Sequence, residues 1–233
     1  MSAQVLDSTA NQRFWESNQA SYQGEQNARP LVFLTRKYLG QVILDAGAGE
    51  GSLVRQLRQD CTQAEVQGVD LAPKNRDVDQ GDLTNLAYAD ACFDTVFCSE
   101  VIEHLTPEDT STVMRELARV LRPGGSLIVT TPFAETLAES TVACPRCDCA
   151  FHRWGHQQSF VQGDFSQLAD QAGLVPEEIR TIRYSRLRRV MFLGQSLLKL
   201  PWLKRYIAQG RGKRHLIMAA RKPATSAPAR SAA

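Results

Sequence analysis

The amino-acid sequence lacks the features of membrane-spanning, disordered and disulfide-stapled proteins. Its longest apolar stretch, residues 190–200, is interrupted by Gly194 and Lys199 and is far shorter than the roughly 18 to 20 residues of a membrane span. Hydrophobic residues make up 43% of the 233 positions, which is too many for an intrinsically disordered chain. Six cysteines are too few for a disulfide scaffold of this length. We therefore expect one globular domain with a full-sized core.

The first part of the sequence gives no indication of export, and the last part is of low complexity. The first thirty residues are polar and contain no basic segment followed by an apolar one, and the Ala/Ser/Pro-rich tail at 223–233 is expected to be disordered. We expect a cytoplasmic, reducing environment, in which clustered cysteines indicate a metal site more often than a disulfide.

Acidic residues are missing from the last quarter of the chain. Residues 1–178 contain 13 basic and all 25 acidic residues, whereas residues 179–233 contain the other 14 basic residues and no acid. Within this part, the mixture of apolar and basic residues at 186–214 predicts a basic amphipathic segment. It either contacts an anionic partner, with at most peripheral membrane association, or docks on the acidic body as an ordinary solvated surface.

Strand-like and helix-like segments alternate along the chain. Short apolar runs predict strands at 41–45, 65–70, 93–98, 126–130 and 215–220. Helical spacing predicts helices at 52–58, 106–121 and 164–173, the second with Thr106 as its N-cap and the third ending at a glycine. Strands that alternate with helices indicate a parallel sheet covered on both faces.

A glycine turn follows the first predicted strand. Its sequence, Asp45-Ala-Gly-Ala-Gly-Glu-Gly51, has the spacing G-x-G-x-G, whereas a dinucleotide-binding turn has G-x-G-x-x-G. A carboxylate at the strand end would repel a pyrophosphate, and it would pair with an ammonium group instead. Asp70 follows at the distance at which a second-strand carboxylate accepts ribose hydroxyls, and Asp82 comes within reach of an adenine amine. Together these groups indicate S-adenosylmethionine, although any one acid alone is more often a helix cap or a surface charge.

Five ordered motifs resemble class I S-adenosylmethionine-dependent methyltransferases, and within them the group that includes the ubiquinone-biosynthesis enzymes. They are Asp45–Gly51, Asp70, Gly81-Asp82, the block Phe93–Leu105 and the block Leu121–Thr130. The resemblance implies a Rossmann-like α/β fold with a seven-stranded, mostly parallel sheet, helices on both faces and an antiparallel last strand. It also implies a pocket-capping helix containing Phe14, Trp15 or Tyr22. The predicted cofactor-binding residues are Asp45, Gly47, Ala48, Gly49, Asp70, Leu71, Asp82, Leu83, Ser99 and Tyr22.

Candidate catalytic residues lie in the block Ser99-Glu-Val-Ile-Glu-His104. On a helix, Glu100, Glu103 and His104 would share one face. His104 could act alone as a general base, or the three side chains could bind a divalent ion such as Mg²⁺ that acidifies an acceptor hydroxyl. The second alternative draws on a similar block in small-RNA 2′-O-methyltransferases, which add a later histidine for which His156 is a counterpart. A third alternative is that the block only caps a helix.

A cluster of cysteine and histidine lies in a predicted insertion at about 133–163. Cys144, Cys147, His152 and His156 have the spacing C-x2-C-x4-H-x3-H, which supplies the two thiolates and two imidazoles of a structural zinc site. Cys149 could replace one histidine, and an ordinary flexible substrate loop is the alternative.

The sequence thus predicts a methyltransferase domain over residues 1–222. Its expected activity is O-methylation of a small-molecule or lipid-linked acceptor. The alternatives are a metal-dependent RNA 2′-O-methyltransferase and a non-catalytic S-adenosylmethionine-binding protein. The acidic body and the lack of a separate RNA-binding domain weigh against a nucleic-acid partner.

Overall fold

The computed structural model of the chain describes residue 16, residues 24–193 and residues 213–224. Phe14, Trp15 and Tyr22, most of the basic segment at 186–214 and nearly all of the tail at 223–233 therefore lie outside the described residues. Among the described helices, none combines the length and hydrophobicity that crossing a bilayer requires.

The central element is a seven-stranded sheet. Its strands are β1 (Val42–Ala46), β2 (Glu65–Asp70), β3 (Asp79–Gln80), β4 (Phe93–Ser99), β5 (Leu121–Pro132), β8 (Val175–Ile182) and β9 (His215–Arg221). Their order across the sheet is β3-β2-β1-β4-β5-β9-β8. The strands β1 to β5 pair in parallel, and β9 is antiparallel to both of its neighbours. The predicted fold class, with its antiparallel last strand, is confirmed.

Helices cover both faces of the sheet, because alternate side chains of each central strand enter two different cores. In β4, Val96 and Cys98 face one core, whereas Phe97 faces the other. The first core receives the helices α3 (Pro107–Val120) and α4 (Gln162–Gln171), and the second receives α1 (Gly24–Thr35), α2 (Ser52–Asp60) and α5 (Tyr184–Leu193).

The predicted helix boundaries are confirmed only in part, since α4 begins at Gln162, two residues before its predicted start at 164. The Thr106 hydroxyl caps α3 by accepting the backbone N–H of Asp109 at 3.1 Å, and Gly173 follows α4 with a left-handed φ of 70°. Leu121, predicted as the last helical leucine, instead begins β5. It is fully buried opposite Phe93 of β4, so pairing in the sheet overrides its helical spacing.

A small hairpin projects from the sheet between β5 and α4. Its strands β6 (Thr141–Ala143) and β7 (Ala150–His152) are antiparallel. A bridge between Phe133 and Phe160 and a hydrogen bond from the Ala134 N–H to the Phe160 carbonyl at 2.9 Å close the base of this insertion. The predicted excursion at about 133–163 is therefore a loop anchored at both ends.

Arg119 of α3 holds the long connection between β3 and β4 against the helix. Its guanidinium donates to the carbonyls of Leu86 at 2.9 Å and Tyr88 at 2.8 Å. It also pairs with Asp90 at 2.7 Å and Glu116 at 2.8 Å. Because the guanidinium binds two backbone carbonyls of the connection as well as the two carboxylates, it fixes the connection to α3.

We expect Arg119→Met to lower the free energy of unfolding by about 2 kcal/mol, because the Leu86 and Tyr88 carbonyls lose a charged donor. The measurement is urea denaturation. The control is Arg115→Met, one turn earlier on the exposed face of α3, for which we expect a change within about 0.5 kcal/mol. Equal effects of the two variants would show that Arg119 is an ordinary surface residue.

Candidate functional site

A cleft of about 550 Å³ lies at the carboxyl edge of the sheet, where open α/β folds bind ligands. Nine of the ten predicted cofactor residues are in its wall: Asp45, Gly47, Ala48, Gly49, Asp70, Leu71, Asp82, Leu83 and Ser99. The tenth, Tyr22, lies outside the described residues. The structure therefore brings together the side chains that the motifs singled out along about 55 residues of sequence.

The glycine turn requires residues without a side chain. Gly47, Gly49 and Gly51 all have left-handed φ angles, of 84°, 50° and 71°. A Cβ on Gly47 would also lie 2.3 Å from a methyl carbon of Val101, which stands after β4. The glycine therefore lets the turn approach the segment that carries the candidate catalytic block.

Asp70 is held by two backbone N–H groups. One carboxylate oxygen accepts the N–H of Gly49 at 2.8 Å, and the other accepts that of Ala72 at 2.8 Å. The first bond ties the end of β2 to the glycine turn. Each oxygen retains a lone pair for a ligand hydroxyl, so the geometry suits recognition of a diol.

Asp45 is a buried carboxylate at the end of β1, only 2% exposed. Burial, and after it the neighbouring carboxylate of Asp70, raise the pKa of Asp45 to about 7. A cationic group of a ligand in the cleft would stabilise the ionised form. The ionised carboxylate of Asp45 therefore needs a cation beside it, and the ammonium group of a ligand would supply one.

The Glu100 side chain contacts other residues than the predicted helix would have brought to it. Its backbone is left-handed, with a φ of 57°, and its carboxylate accepts the Thr130 hydroxyl at 2.8 Å and pairs with the ring nitrogen Nδ1 of His215 at 3.0 Å. Ser99 contacts the same Thr130 hydroxyl at 2.8 Å. This network fixes Glu100 at the wall of the cleft, and the role of His215 had no signal in the sequence.

The predicted grouping of Glu100, Glu103 and His104 on one helical face is wrong. The segment Ile102–His104 forms a single 3-10 turn, which does not give the spacing of an α-helix. The ligand atoms of Glu103 and His104 instead lie within 4.8 Å of those of His156. Glu103 and His104 are both buried, but only His104 lines the cleft.

The His104 imidazole is neutral near pH 7. Burial, and after it the neighbouring His156, lower the pKa of His104 to about 3. An imidazole with this pKa is a weak general base near neutrality. It is better suited to accept a hydrogen bond or to bind a ligand.

The segment His152–Gln158 is docked on this 3-10 turn by two glutamines. The Gln157 amide donates to the His104 carbonyl at 2.6 Å. The Gln158 amide donates to the Leu105 carbonyl at 2.8 Å and to the Thr110 hydroxyl at 2.7 Å. The docking brings His156 to His104, with ring centroids 4.7 Å apart. The sequence did not predict the role of either glutamine, because polar residues in a loop give no indication of their partners.

The four-residue zinc site predicted from the spacing is not formed among the described residues. Cys144 and Cys147 lie in the tip of the hairpin, where Cys147 is exposed. His152 is opposite Thr141, so Cys144 is three residues further along the strand, about 10 Å away at ~3.3 Å per residue. His152 and His156 meet Glu135 instead of a cysteine.

Part of the chain matches a protein-family model, and longer parts match curated proteins. Residues 44–129 match the family model described as a methyltransferase domain. The malonyl-[acyl-carrier protein] O-methyltransferase of Halorhodospira halophila is 36% identical over 169 residues, which are 64% of this chain and 55% of that protein. The biotin biosynthesis bifunctional protein BioHC of Cellvibrio japonicus is 31% identical over 72% of this chain and 35% of its own length. The chain thus spans about half or less of the length of these relatives.

Among solved structures, a Burkholderia thailandensis enzyme shares the fold. It is a 1,6-didemethyltoxoflavin-N1-methyltransferase with bound S-adenosylhomocysteine, with a TM-score of 0.56 and 18% identity over 86% of this chain and 78% of that one. The strand order and the carboxylate-flanked glycine turn define a class I S-adenosylmethionine-dependent methyltransferase domain. Residues 44–129, which the family model matches, belong to this class, as the motifs suggested.

We expect Gln158→Ala to lower the free energy of unfolding by about 1–2 kcal/mol, because the Leu105 carbonyl loses its donor inside the fold. Hydrogen exchange of residues 152–158 should become faster, since the segment is no longer held on the 3-10 turn. The control is Gln162→Ala, at an exposed position of α4. Unchanged exchange in residues 152–158 would mean that Gln158 does not hold the segment.

Proposed function

We propose that this protein is an S-adenosylmethionine-dependent methyltransferase that methylates an oxygen of a small-molecule or lipid-linked acceptor. The observation that carries the proposal is the cleft in which the buried carboxylate of Asp45 and the hydrogen-bonded carboxylate of Asp70 flank a bare glycine turn. The named activity of the Halorhodospira relative, O-methylation of a carrier-linked acceptor, supports an oxygen acceptor.

The residues of the cleft fit the cofactor group by group. In this proposal Asp45 pairs with the ammonium of the methionine part, and this pairing would offset the cost of burying its carboxylate. Asp70 would accept the two ribose hydroxyls, and Asp82 and Leu83, which also line the cleft, would contact the base. The open space beside Gly49 leaves room for the ligand between these groups.

Part of the remaining cleft wall is apolar. This part includes Ala28 and Leu31 of α1 together with Val101, Leu105 and Val113. Polar and charged residues line the other part, among them Asn27, Arg55, Lys74, Glu100 and His104. An acceptor with an apolar part and one polar reacting group matches the apolar part of the wall, which supports a small apolar or lipid-linked acceptor.

The reaction requires alignment and removal of one proton. As the acceptor oxygen forms its bond to the methyl carbon, the sulfur–methyl bond breaks and its electron pair returns to sulfur. Glu100 is held at the cleft wall by Thr130 and His215, so its carboxylate is positioned to receive the acceptor proton. Positioning of both partners in the cleft supplies the remaining advantage.

We expect the affinity for S-adenosylmethionine to rise between pH 6 and pH 8. The pKa of Asp45 is about 7 in the free protein, and a bound ammonium favours the ionised form, so binding releases a proton below that pH. Affinity should fall by up to about tenfold for each pH unit below 7. The measurement is isothermal titration calorimetry with the cofactor and with S-adenosylhomocysteine, which keeps the ammonium but lacks the sulfonium charge.

Two controls make this experiment specific to Asp45. Asp45→Asn should bind both ligands more weakly and with little pH dependence, because an amide does not ionise. Asp82→Asn, on the same cleft, should keep the pH dependence. A pH dependence seen with S-adenosylmethionine alone would assign the effect to the sulfonium charge and would contradict the pairing of Asp45 with the ammonium.

The activity itself is tested by transfer of an isotope-labelled methyl group into a cell extract. Label should appear in the apolar small-molecule or lipid fraction as an O-methyl product, identified by mass spectrometry, and Asp45→Asn should reduce it more than tenfold. Label in RNA would overturn the choice of acceptor. Tight cofactor binding with no labelled product in any fraction would identify a non-catalytic binding protein.

A further inference from the structure

A second polar centre lies beside the cleft. The ligand atoms of Glu103, His104 and His156 all lie within 4.8 Å of one another. The three residues are 1%, 4% and 8% exposed, so the cluster is deeply buried. They come from two segments about 50 residues apart in sequence, which the glutamine contacts to the 3-10 turn bring together.

We infer that Glu103, His104 and His156 form a binding site for a divalent metal ion of the zinc class, with one carboxylate oxygen and two imidazole nitrogens as ligands. Two nitrogens and one oxygen are the borderline donor set of zinc sites that keep a coordination position open. The site shares Glu103 and His104 with the predicted Mg²⁺ site, for which His156 was named as the later histidine, and it shares His156 with the predicted zinc site. It differs from them because it uses no cysteine and does not include Glu100.

The buried carboxylate of Glu103 is the first observation that points to an ion. Among the described residues, neither of its oxygens has a hydrogen-bond partner, although the residue is almost completely buried. A buried carboxylate without a partner is costly. A bound cation between Glu103 and the two imidazoles would remove this cost.

The orientation of His156 is the second observation. Its Nδ1 forms a hydrogen bond with the carboxylate of Glu135. A carboxylate accepts, so Nδ1 carries the proton and Nε2 keeps its lone pair. A histidine whose other nitrogen donates to a carboxylate is the usual arrangement of a metal ligand. Glu135 therefore acts as a positioning residue for His156.

A second group of Glu135, His152 and His156 is equally close but is a weaker candidate. The Nδ1 of His152 accepts the His156 backbone N–H at 3.0 Å, so in the neutral ring Nε2 carries the proton and does not bind a metal. Glu135 already pairs with His156 and lies 3.9 Å from the ammonium of Lys213. His152 instead supports His156 by stacking on it, with ring centroids 4.5 Å apart.

The ion would stand at the edge of the cleft, because His104 belongs to both the cluster and the cleft wall. An open coordination position there could hold an acceptor oxygen and lower the pKa of its hydroxyl. This role rests on the proposed function, whereas the binding of the ion does not.

Metal binding is tested on the full chain after removal of metals with a chelator. We expect one equivalent of Zn²⁺ or Co²⁺ to bind, much more tightly than Mg²⁺, with a cobalt visible spectrum that lacks a thiolate charge-transfer band. Glu103→Gln and His156→Asn should each weaken Zn²⁺ binding by at least tenfold. Glu135→Gln should weaken it on the order of 10–100-fold, as an outer-shell partner does.

The matched controls are Cys144→Ser with Cys147→Ser, and Glu100→Gln, which should leave the Zn²⁺ affinity unchanged. Circular dichroism checks that each variant is folded, and Glu103→Gln keeps nearly the shape of the native side chain if His156→Asn does not fold. No bound Zn²⁺ or Co²⁺, equal affinity in Glu103→Gln, or a thiolate band that disappears with the cysteines would each overturn the inference. Calorimetry with S-adenosylmethionine on the metal-free chain reports separately on the proposed function.

Discussion

The parallel arrangement of the central strands is the constraint on which the rest of the structure depends. The strands β1, β2 and β4 are sandwiched between helices, so their side chains are committed to the two cores. The charged residues of these three strands therefore lie near the strand ends. All three end at the same edge, which places Asp45, Asp70 and Ser99 around one cleft. The cofactor site is thus a consequence of the strand order combined with three residues at strand ends.

Much of this edge was predictable from the sequence because its signals are local. Apolar runs marked the strands, glycines marked the turn, and the Thr106 cap marked the start of α3. The prediction at Leu121 was wrong because a contact between distant parts of the chain overrides the local pattern there. Its spacing continues the helix, but pairing with Phe93 in the sheet decides its conformation. Local periodicity therefore predicted which elements exist better than it predicted where they end.

The histidine centre was predicted only in part. The resemblance named His156 as a later histidine for the block that contains Glu103 and His104, but the contacts between these distant segments had no signal in the sequence. The spacing of the cysteines and histidines suggested a local zinc site, yet the hairpin separates Cys144 from His152. The spacing of Glu100, Glu103 and His104 suggested one helical face, yet the segment forms a 3-10 turn and Glu100 turns toward His215. The partners of Glu103 and His104 were determined by Gln157 and Gln158, whose side chains gave no sequence signal.

The two polar centres are linked through a short stretch of chain. Gly47 of the cofactor turn packs against Val101, and three residues later His104 joins the cluster with His156. A shift of the 3-10 turn would therefore change the packing against the glycine turn and the position of His104 in the histidine cluster. Because the insertion is anchored on this same turn, its position is coupled to the acceptor side of the cleft. Variation within the insertion can thus change the acceptor side while the carboxylate-lined cofactor edge, supported by the sheet, stays as it is.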